Sequence, residues 1–284
     1  MADPANSSFP TVAVLGLGVM GGSLSRALRS RMPETRIVGW SPALGERDAA
    51  LEQGVLTAAP SAWEEAVEEA ALVVLAMPLE ACLSILPDLD GVAPERATLM
   101  DVASLKGPVA RIVDRAALGH RWVGAHPMAG SEGAGFDRSS ATLFEGARVW
   151  LVTNAGGAPR IGPVADLWRT VGADPQEIGA EEHDEMMALV SHLPQLVSNA
   201  LGGELARRGV DLPMLGPGAR DTTRLAASNP EMWHDLLGHA SPTLVASLRS
   251  VSATVSEIAS ALERSDVAAV ERLMRETARW RTEA

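Results

Sequence analysis

Two short polar segments each follow a predicted strand and carry side chains suited to proton transfer. GAHPMAGSEGAGF, residues 124–136, contains His126, and DVASLKG, residues 101–107, contains Ser104. A free imidazole has a pKa of about 6.5, which suits a general base at neutral pH. The hydroxyl of Ser104 can hydrogen-bond a substrate or a cofactor. A histidine before a proline at a strand end is also often only structural, so both interpretations of His126 stay open at this point.

A second group of candidate site residues lies in the C-terminal half. SHLPQ contains His192 and Gln195, and ARDTTR contains Asp221 and Arg224. Residues three apart share one face of a helix, so Asp221 and Arg224 are expected side by side. A guanidinium binds a carboxylate through two parallel hydrogen bonds, which indicates a site for an acidic substrate. Two structural alternatives stay open: His192 as a buried core histidine, and Asp221 with Arg224 as a surface ion pair.

A glycine-rich turn is the first element that must position these groups. The sequence VAVLGLGVMGGSLSRAL carries Gly16-x-Gly18-x-x-Gly21 directly after a predicted strand and at the start of a predicted helix. In that context Gly16 permits a tight turn, Gly18 lets a pyrophosphate approach the backbone, and Gly21 lets helix and strand pack closely. The pattern predicts a nicotinamide dinucleotide cofactor. The residues expected to bind it are Gly16, Gly18, Val19, Met20, Gly21 and Ser41.

The identity of residue 41 bears on the choice of cofactor. Dinucleotide-binding proteins that use NAD usually carry an acid at the end of the second strand, for the adenosine ribose. This chain has Ser41 there, so no carboxylate is expected to repel a 2′-phosphate. The next arginine, Arg47, is expected on the following helix, facing elsewhere. The sequence therefore predicts NADP or NAD, with a slight preference for NADP.

Apolar runs and helical patterns alternate through the first half of the chain. The predicted strands are residues 11–15, 36–40, 72–76, 98–101, 122–125 and 149–152. This alternation predicts a doubly wound, mostly parallel Rossmann sheet with helices on both faces, an α/β fold. Beyond about Gly179 only helices are predicted. They run from about residue 181 to 208 with a kink at Pro194, from Asn229–Pro230, and over 241–264 and 266–281. We expect a dinucleotide domain over 1–179 and a helical domain over 180–284 that dimerises.

Composition narrows the class of protein further. The net charge of −12 argues against nucleic acid as a partner. The single cysteine, Cys82, cannot form an intramolecular disulfide and is expected to be buried. The sequence has no apolar run long enough for a transmembrane helix, and its first residues lack the pattern of a secretory signal. We therefore expect a cytoplasmic protein with a small-molecule substrate, no membrane partner and no metal site.

Six segments in this order resemble one enzyme family. GLGVMGGSL, DVASLKG, GAHPMAGSE, SHLPQ, RDTTR and NPEMW are similar to the prephenate/arogenate dehydrogenases of tyrosine biosynthesis, over roughly residues 10–280. The resemblance implies a Rossmann domain, a helical dimerisation domain and oxidative decarboxylation of prephenate or arogenate with hydride transfer to NAD or NADP. It also implies that His126 takes the proton of the ring 4-hydroxyl, that Ser104 orients it, and that Arg224 binds the ring carboxylate. The other positions that it assigns to the substrate site are Ser131, Glu132, His192, Asp221 and Trp233.

One position departs from the family pattern, and two alternative functions stay open. Many prephenate-preferring members read SHLPH, whereas this chain has Gln195 at the last position, so the choice between prephenate and arogenate stays open. The nearest alternative is another two-domain dehydrogenase, of the β-hydroxyacid or imine-reducing kind. β-Hydroxyacid members use a lysine of the helical domain, but the only lysine here is Lys106. The second alternative is a dinucleotide sensor without catalysis. The enzyme interpretation requires His126 and Arg224 to meet in one cavity beside the nicotinamide.

Overall fold

The protein divides into two compact units in the computed structural model, which describes residues 8–130, 133–154 and 156–283. The first unit contains the chain up to Asp184 together with Pro230–His239. The second contains Glu185–Asn229 and the chain from Ala240 onwards.

A seven-stranded sheet forms the centre of the first unit. Its strands are β1 (Thr11–Leu15), β2 (Arg36–Trp40), β3 (Leu72–Leu75), β4 (Thr98–Asp101), β5 (Trp122–Pro127), β6 (Arg148–Val152) and β7 (Asp174–Glu177). They are ordered β2-β1-β3-β4-β5-β6-β7, and every neighbouring pair is parallel except β5 with β6. The six predicted strands are present. The seventh, with the sequence DPQE, was not predicted because three of its four residues are exposed and polar.

Helices cover both faces of this sheet. They are α1 (Val19–Arg31), α2 (Leu44–Glu52), α3 (Trp63–Val67), α4 (Leu79–Ile85), α5 (Gly107–Arg115) and α6 (Ala158–Thr170). Because strand side chains alternate between faces, Val12 and Val14 pack into one apolar cluster, with Leu24 and Leu28 of α1. Leu15 packs into the other, with Val109 of α5. The Rossmann prediction is confirmed.

The predicted long helix after residue 180 consists of three pieces. They are α7 (Ala180–Met187), one π-helical turn over Ala188–His192, and α8 (Leu193–Arg207). Pro194 is the second residue of α8 and has no N–H to donate to the preceding turn. The hydrogen-bond ladder therefore widens just before it, as π turns do. The predicted kink at Pro194 is thus a change of helix type.

Four more α-helices follow in the described part of the chain. They are α9 (Pro217–Thr223), α10 (Pro230–Gly238), α11 (Pro242–Glu263) and α12 (Val267–Glu283). The hydroxyl of Ser241 caps α11 by accepting a hydrogen bond from the N–H of Leu244 at 3.2 Å. Within the part of the chain that the structure describes, no helix has the length and apolar character needed to cross a bilayer.

Candidate active site

The glycine turn between β1 and α1 has the geometry that a dinucleotide requires. Gly16 has a φ of +98°, and a Cβ placed there would lie 2.3 Å from the carbonyl oxygen of Ala76. A Cβ on Gly21 would lie 1.9 Å from the carbonyl oxygen of Gly16, so neither position accepts a side chain. A Cβ on Gly18 would meet nothing within 4 Å. The turn therefore leaves open space beside the N-terminus of α1, where backbone N–H groups can bind a pyrophosphate. Val19 and Met20 are the first two residues of that helix.

A carboxylate that was not predicted from the sequence is hydrogen-bonded to the residue after β2. Ser41 is buried, and its hydroxyl donates a hydrogen bond of 2.6 Å to Oε2 of Glu46, in the first turn of α2. The premise behind the NADP preference, that no acid stands near Ser41, is therefore wrong. Arg47 lies on α2, as expected, and its Nη1 donates to the carbonyl oxygens of Pro60 and Ser61.

A buried ion pair fixes the loop that follows β4. The Nζ of Lys106 donates to the carboxylate of Asp101 and, at 2.9 Å, to the carbonyl oxygen of Ala125. The other carboxylate oxygen of Asp101 accepts from Nε1 of Trp122 at 2.9 Å. Both charged side chains are fully buried, so removing either one would leave an unpaired charge inside the protein. This network anchors the loop that bears Ser104 to the residue before His126, and Ser104 itself is exposed.

His126 stands at the start of a chain of three hydrogen-bonded side chains. Its Nδ1 lies 2.8 Å from Nε2 of His183, and Nδ1 of His183 lies 2.8 Å from Oδ1 of Asp184. We call this the His–His–Asp chain. His183 is fully buried, and Asp184 also accepts hydrogen bonds from the backbone N–H groups of Lys106 and Gly107, both at 2.8 Å. The N-terminal end of α5 therefore holds Asp184 in place.

When both imidazoles are neutral, this arrangement assigns the position of each ring proton. A carboxylate only accepts, so His183 must carry its proton on Nδ1 and present a lone pair on Nε2. His126 must then donate from its own Nδ1, which leaves its basic lone pair on Nε2. Burial alone would raise the pKa of Asp184, but the hydrogen bonds from His183, Lys106 and Gly107 outweigh it. The pKa consequently lies below its ordinary value of 3.8, and Asp184 remains a carboxylate at neutral pH.

Sequence analysis did not identify His183 or Asp184 as functional residues. They are consecutive in the segment EEHDEMM and lie 57 and 58 positions after His126. A signal was present: an adjacent histidine and aspartate a few residues before SHLPQ, near the predicted domain boundary. Nothing local linked that pair to His126, because the contact depends on the fold.

Four candidate residues of the helical half lie in the second unit: His192, Gln195, Asp221 and Arg224. His192 is buried at the end of the π turn. The side-chain nitrogen of Gln195 donates to the carbonyl oxygen of Leu225 at 2.7 Å, and its oxygen accepts from the hydroxyl of Ser228 at 3.1 Å. Gln195 therefore holds the 3₁₀ turn that begins at Arg224. A direct contact of Gln195 with the substrate stays a prediction.

The remaining predicted substrate-site residues have different outcomes: one expectation is wrong, and two residues are not described by the structure. Asp221 belongs to α9, whereas Arg224 follows the end of that helix. In the part of the chain that is described, these two exposed side chains form no ion pair with each other, so the predicted surface pair is wrong. Ser131 and Glu132 lie outside the described residues. Trp233 lies on α10, in the first unit, where His239 contacts Glu80 of α4 at 2.8 Å.

Cys82 is a structural residue, as expected. Its side chain is buried on α4 against the sheet. Burial, with the nearby negative charge of Asp101, raises the pKa of the Cys82 thiol to about 12. The thiol is therefore protonated and unreactive at neutral pH.

Comparison with known proteins agrees with this geometry. The family model described as "Prephenate dehydrogenase, nucleotide-binding domain" matches residues 24–176, and "Prephenate dehydrogenase, dimerization domain" matches residues 179–276. A cyclohexadienyl dehydrogenase of Zymomonas mobilis is 30% identical over 264 residues, which are 91% of this chain and 90% of that protein.

Solved structures are similar over almost the whole chain. A prephenate dehydrogenase from Aquifex aeolicus, crystallised with hydroxyphenyl propionate and NAD⁺, has a TM-score of 0.87 and 28% identity, covering 96% of this chain and 97% of its own. An arogenate dehydrogenase from Synechocystis has a TM-score of 0.82 and 25% identity, covering 96% and 99%. The resemblance seen in the sequence is therefore confirmed, and this chain belongs to the prephenate dehydrogenase family.

Proposed function

We propose that this protein catalyses the oxidative decarboxylation of prephenate, arogenate or both, with hydride transfer to a nicotinamide dinucleotide. The observation that carries the proposal is the His–His–Asp chain at the carboxyl end of β5, because it gives His126 the tautomer that a general base needs. Family membership supplies the substrate class. The β-hydroxyacid alternative loses its one possible acid, since Lys106 is fully buried and paired with Asp101.

His126 is the proposed base. Its Nε2 takes the proton of the ring 4-hydroxyl while hydride leaves the same carbon. A nicotinamide bound next to the glycine turn supplies the acceptor for that hydride. His183 keeps the Nδ1 proton of His126 in place, and Asp184 stabilises the positive charge that develops on the imidazole pair. The ring carboxylate then leaves as CO2, its bonding electrons enter the ring, and the aromatic product makes the reaction effectively irreversible.

Arg224 is the proposed ligand of the ring carboxylate. Gln195 is proposed to position Arg224, because its side chain hydrogen-bonds the turn that begins at Arg224. Ser104 is proposed to orient His126, the substrate and the cofactor. The further residues proposed for the substrate site are Ser131, Glu132, His192, Asp221 and Trp233. The residues proposed for the cofactor are Gly16, Gly18, Val19, Met20, Gly21 and Ser41. The slight preference for NADP has lost its support, because Glu46 supplies the carboxylate that Ser41 lacks.

We also propose that the protein is a homodimer and that its two domains have different functions. Residues 1–179 would bind the dinucleotide, and residues 180–284 would bind substrate and dimerise. The description of the C-terminal family model as a dimerization domain supports this. So do large apolar side chains more than half exposed on the last two helices: Val255, Leu262, Met274 and Trp280. A single cysteine that needs no oxidising compartment supports a cytoplasmic location.

A two-by-two assay tests the function: prephenate and arogenate, each with NAD and NADP, followed by the absorbance of the reduced nicotinamide. We expect turnover with at least one pair. His126→Asn should lower that turnover by about 100-fold or more, as loss of a general base does, and leave cofactor binding unchanged. His120→Asn is the matched control, since His120 is half exposed and contacts Glu95 at the surface. Cofactor binding with no turnover on either substrate would make the protein a sensor and overturn the proposal.

A further inference from the structure

We propose that Glu46, positioned by Ser41, binds the adenosine ribose of the cofactor and makes the protein select NAD over NADP. This inference rests on the proposed dinucleotide site at the glycine turn. It gives a role to a residue that lies outside the glycine motif and is not at the position where such an acid usually stands.

The end of β2 directly adjoins the glycine turn. The N–H of Gly16 donates a hydrogen bond of 2.7 Å to the carbonyl oxygen of Trp40, the last residue of β2. Ser41 follows at once and is only 3% exposed. In dinucleotide-binding folds the group at this place meets the adenosine ribose. A residue fixed to Ser41 is therefore fixed beside the ribose position.

Two hydrogen bonds at Ser41 fix the Glu46 carboxylate there. The Ser41 hydroxyl donates to Oε2 of Glu46 at 2.6 Å and accepts from the N–H of Ala43 at 3.3 Å. Ser41 therefore acts as a link between the strand end and the first turn of α2. In most such folds the residue at the strand end supplies the acid. Here Glu46, five positions after Ser41, supplies it, and the Ser41 hydroxyl holds its carboxylate in place.

The carboxylate has the right chemistry for a ribose with a free 2′-hydroxyl. Ser41 donates to only one of its two oxygens, so Oε1 retains the capacity to accept from ribose hydroxyls. Glu46 is partly exposed, which gives a ligand access to it. NADP carries a phosphate with a charge of about −1.5 to −2 in place of that hydroxyl, and a fixed carboxylate repels it.

The neighbouring arginine does not offset this repulsion. Binding of a 2′-phosphate requires a cation, and Arg47 is the next residue along α2. Its Nη1 donates to the carbonyl oxygens of Pro60 at 2.8 Å and Ser61 at 3.3 Å. The indole of Trp40 donates to the same Ser61 oxygen at 3.1 Å, so backbone carbonyl oxygens of residues 60 and 61 already bind the Arg47 guanidinium.

Direct titration of the full-length protein with NAD and with NADP, without substrate, tests the proposal. Isothermal calorimetry should give a Kd for NAD at least about tenfold below that for NADP. Glu46→Gln should reduce the ratio of the two constants by about tenfold to a hundredfold, the usual effect of losing a hydrogen bond to a charged group. Ser41→Ala frees Glu46 and should reduce the ratio by a smaller factor. Glu52→Gln, at the exposed far end of α2, removes the same charge and should leave the ratio unchanged.

Two results would overturn the inference. One is tighter or equal binding of NADP by the unmodified protein. The other is a Glu46→Gln variant that keeps the thermal stability and the NAD:NADP ratio of the parent; if that variant does not fold, an unchanged ratio in Ser41→Ala has the same force. Since no substrate is present, these outcomes are independent of which acid the enzyme oxidises. Selective NAD binding with no turnover would count against the proposed function alone.

Discussion

Replacing Asp184 by asparagine isolates the far end of the His–His–Asp chain. The carboxylate accepts three hydrogen bonds, from His183 and from the N–H groups of Lys106 and Gly107. An amide has only one accepting oxygen. In one orientation its NH2 group faces the N–H of Gly107, and in the other it faces His183. The second orientation forces His183 to move its proton to Nε2, which in turn puts the proton of His126 on the nitrogen that should be basic.

The loss of the attraction between the Asp184 carboxylate and protonated His126 sets a minimum for the fall in rate. Two hydrogen bonds of 2.8 Å and one imidazole separate Asp184 from His126. With about 8 Å between the charges and an effective dielectric constant of about 20, the attraction is about 2 kcal/mol. That corresponds to about 30-fold in rate, or about 1.5 pH units. The tautomer error adds to this, since it costs about 10⁴-fold in the serine protease triad.

Steady-state kinetics across pH test this prediction. Asp184→Asn should lower kcat by at least about 30-fold on the better substrate. It should also move the acidic limb of the pH–kcat/KM profile down by about 1.5 units, because protonated His126 loses a stabilising charge. The Kd for the dinucleotide should not change. Asp166→Asn, which removes only an exposed pair with Arg169, is the control. A folded Asp184→Asn protein with kcat within about threefold of the parent and an unmoved acidic limb would refute the proposed role of the chain.

Two further variants probe the groups on either side of the base. Arg224→Ala should raise KM for the substrate by about tenfold to a hundredfold and change dinucleotide binding little, because a charged hydrogen-bond partner of a carboxylate is lost; an unchanged KM would mean that Arg224 is only structural. Gly107→Ala would place a Cβ 2.8 Å from Oδ2 of Asp184, so the carboxylate must shift, and kcat should fall by about tenfold, whereas Gly162→Ala on α6 meets nothing within 4 Å and should be neutral. Equal kcat values for these two glycine variants would argue against a need for Asp184 in its present place.

Local patterns were enough to predict the sheet and the glycine turn. The strands β1 to β4 are short apolar runs buried on both faces, and such runs are visible in sequence. Gly16 has a φ of +98°, and a Cβ on Gly21 would lie 1.9 Å from the carbonyl oxygen of Gly16, so these two glycine requirements arise within the turn itself. His126 could be singled out because it ends a strand at the edge where ligands bind in this fold.

Features that depend on contacts distant in sequence were not predictable in this way. His183 meets His126 across 57 positions, and Asp184 meets the start of α5 across 77. The carboxylate of Glu46 replaces the expected acid through a side-chain hydrogen bond, which spacing alone does not reveal. The helix α9 ends at Thr223 and Arg224 begins a 3₁₀ turn, although the spacing of Asp221 and Arg224 predicted one helical face.

The complete burial of Lys106 protects the side-chain amine of this protein from amine-directed reagents. It is the one lysine in the sequence, and its ammonium group has no exposure to solvent. Acylating agents, aldehydes and amine cross-linkers therefore have no ε-amino group to react with until the loop between β4 and α5 opens. Labelling of Lys106 would then report the opening of this loop in the nucleotide-binding unit, with no engineered reporter residue.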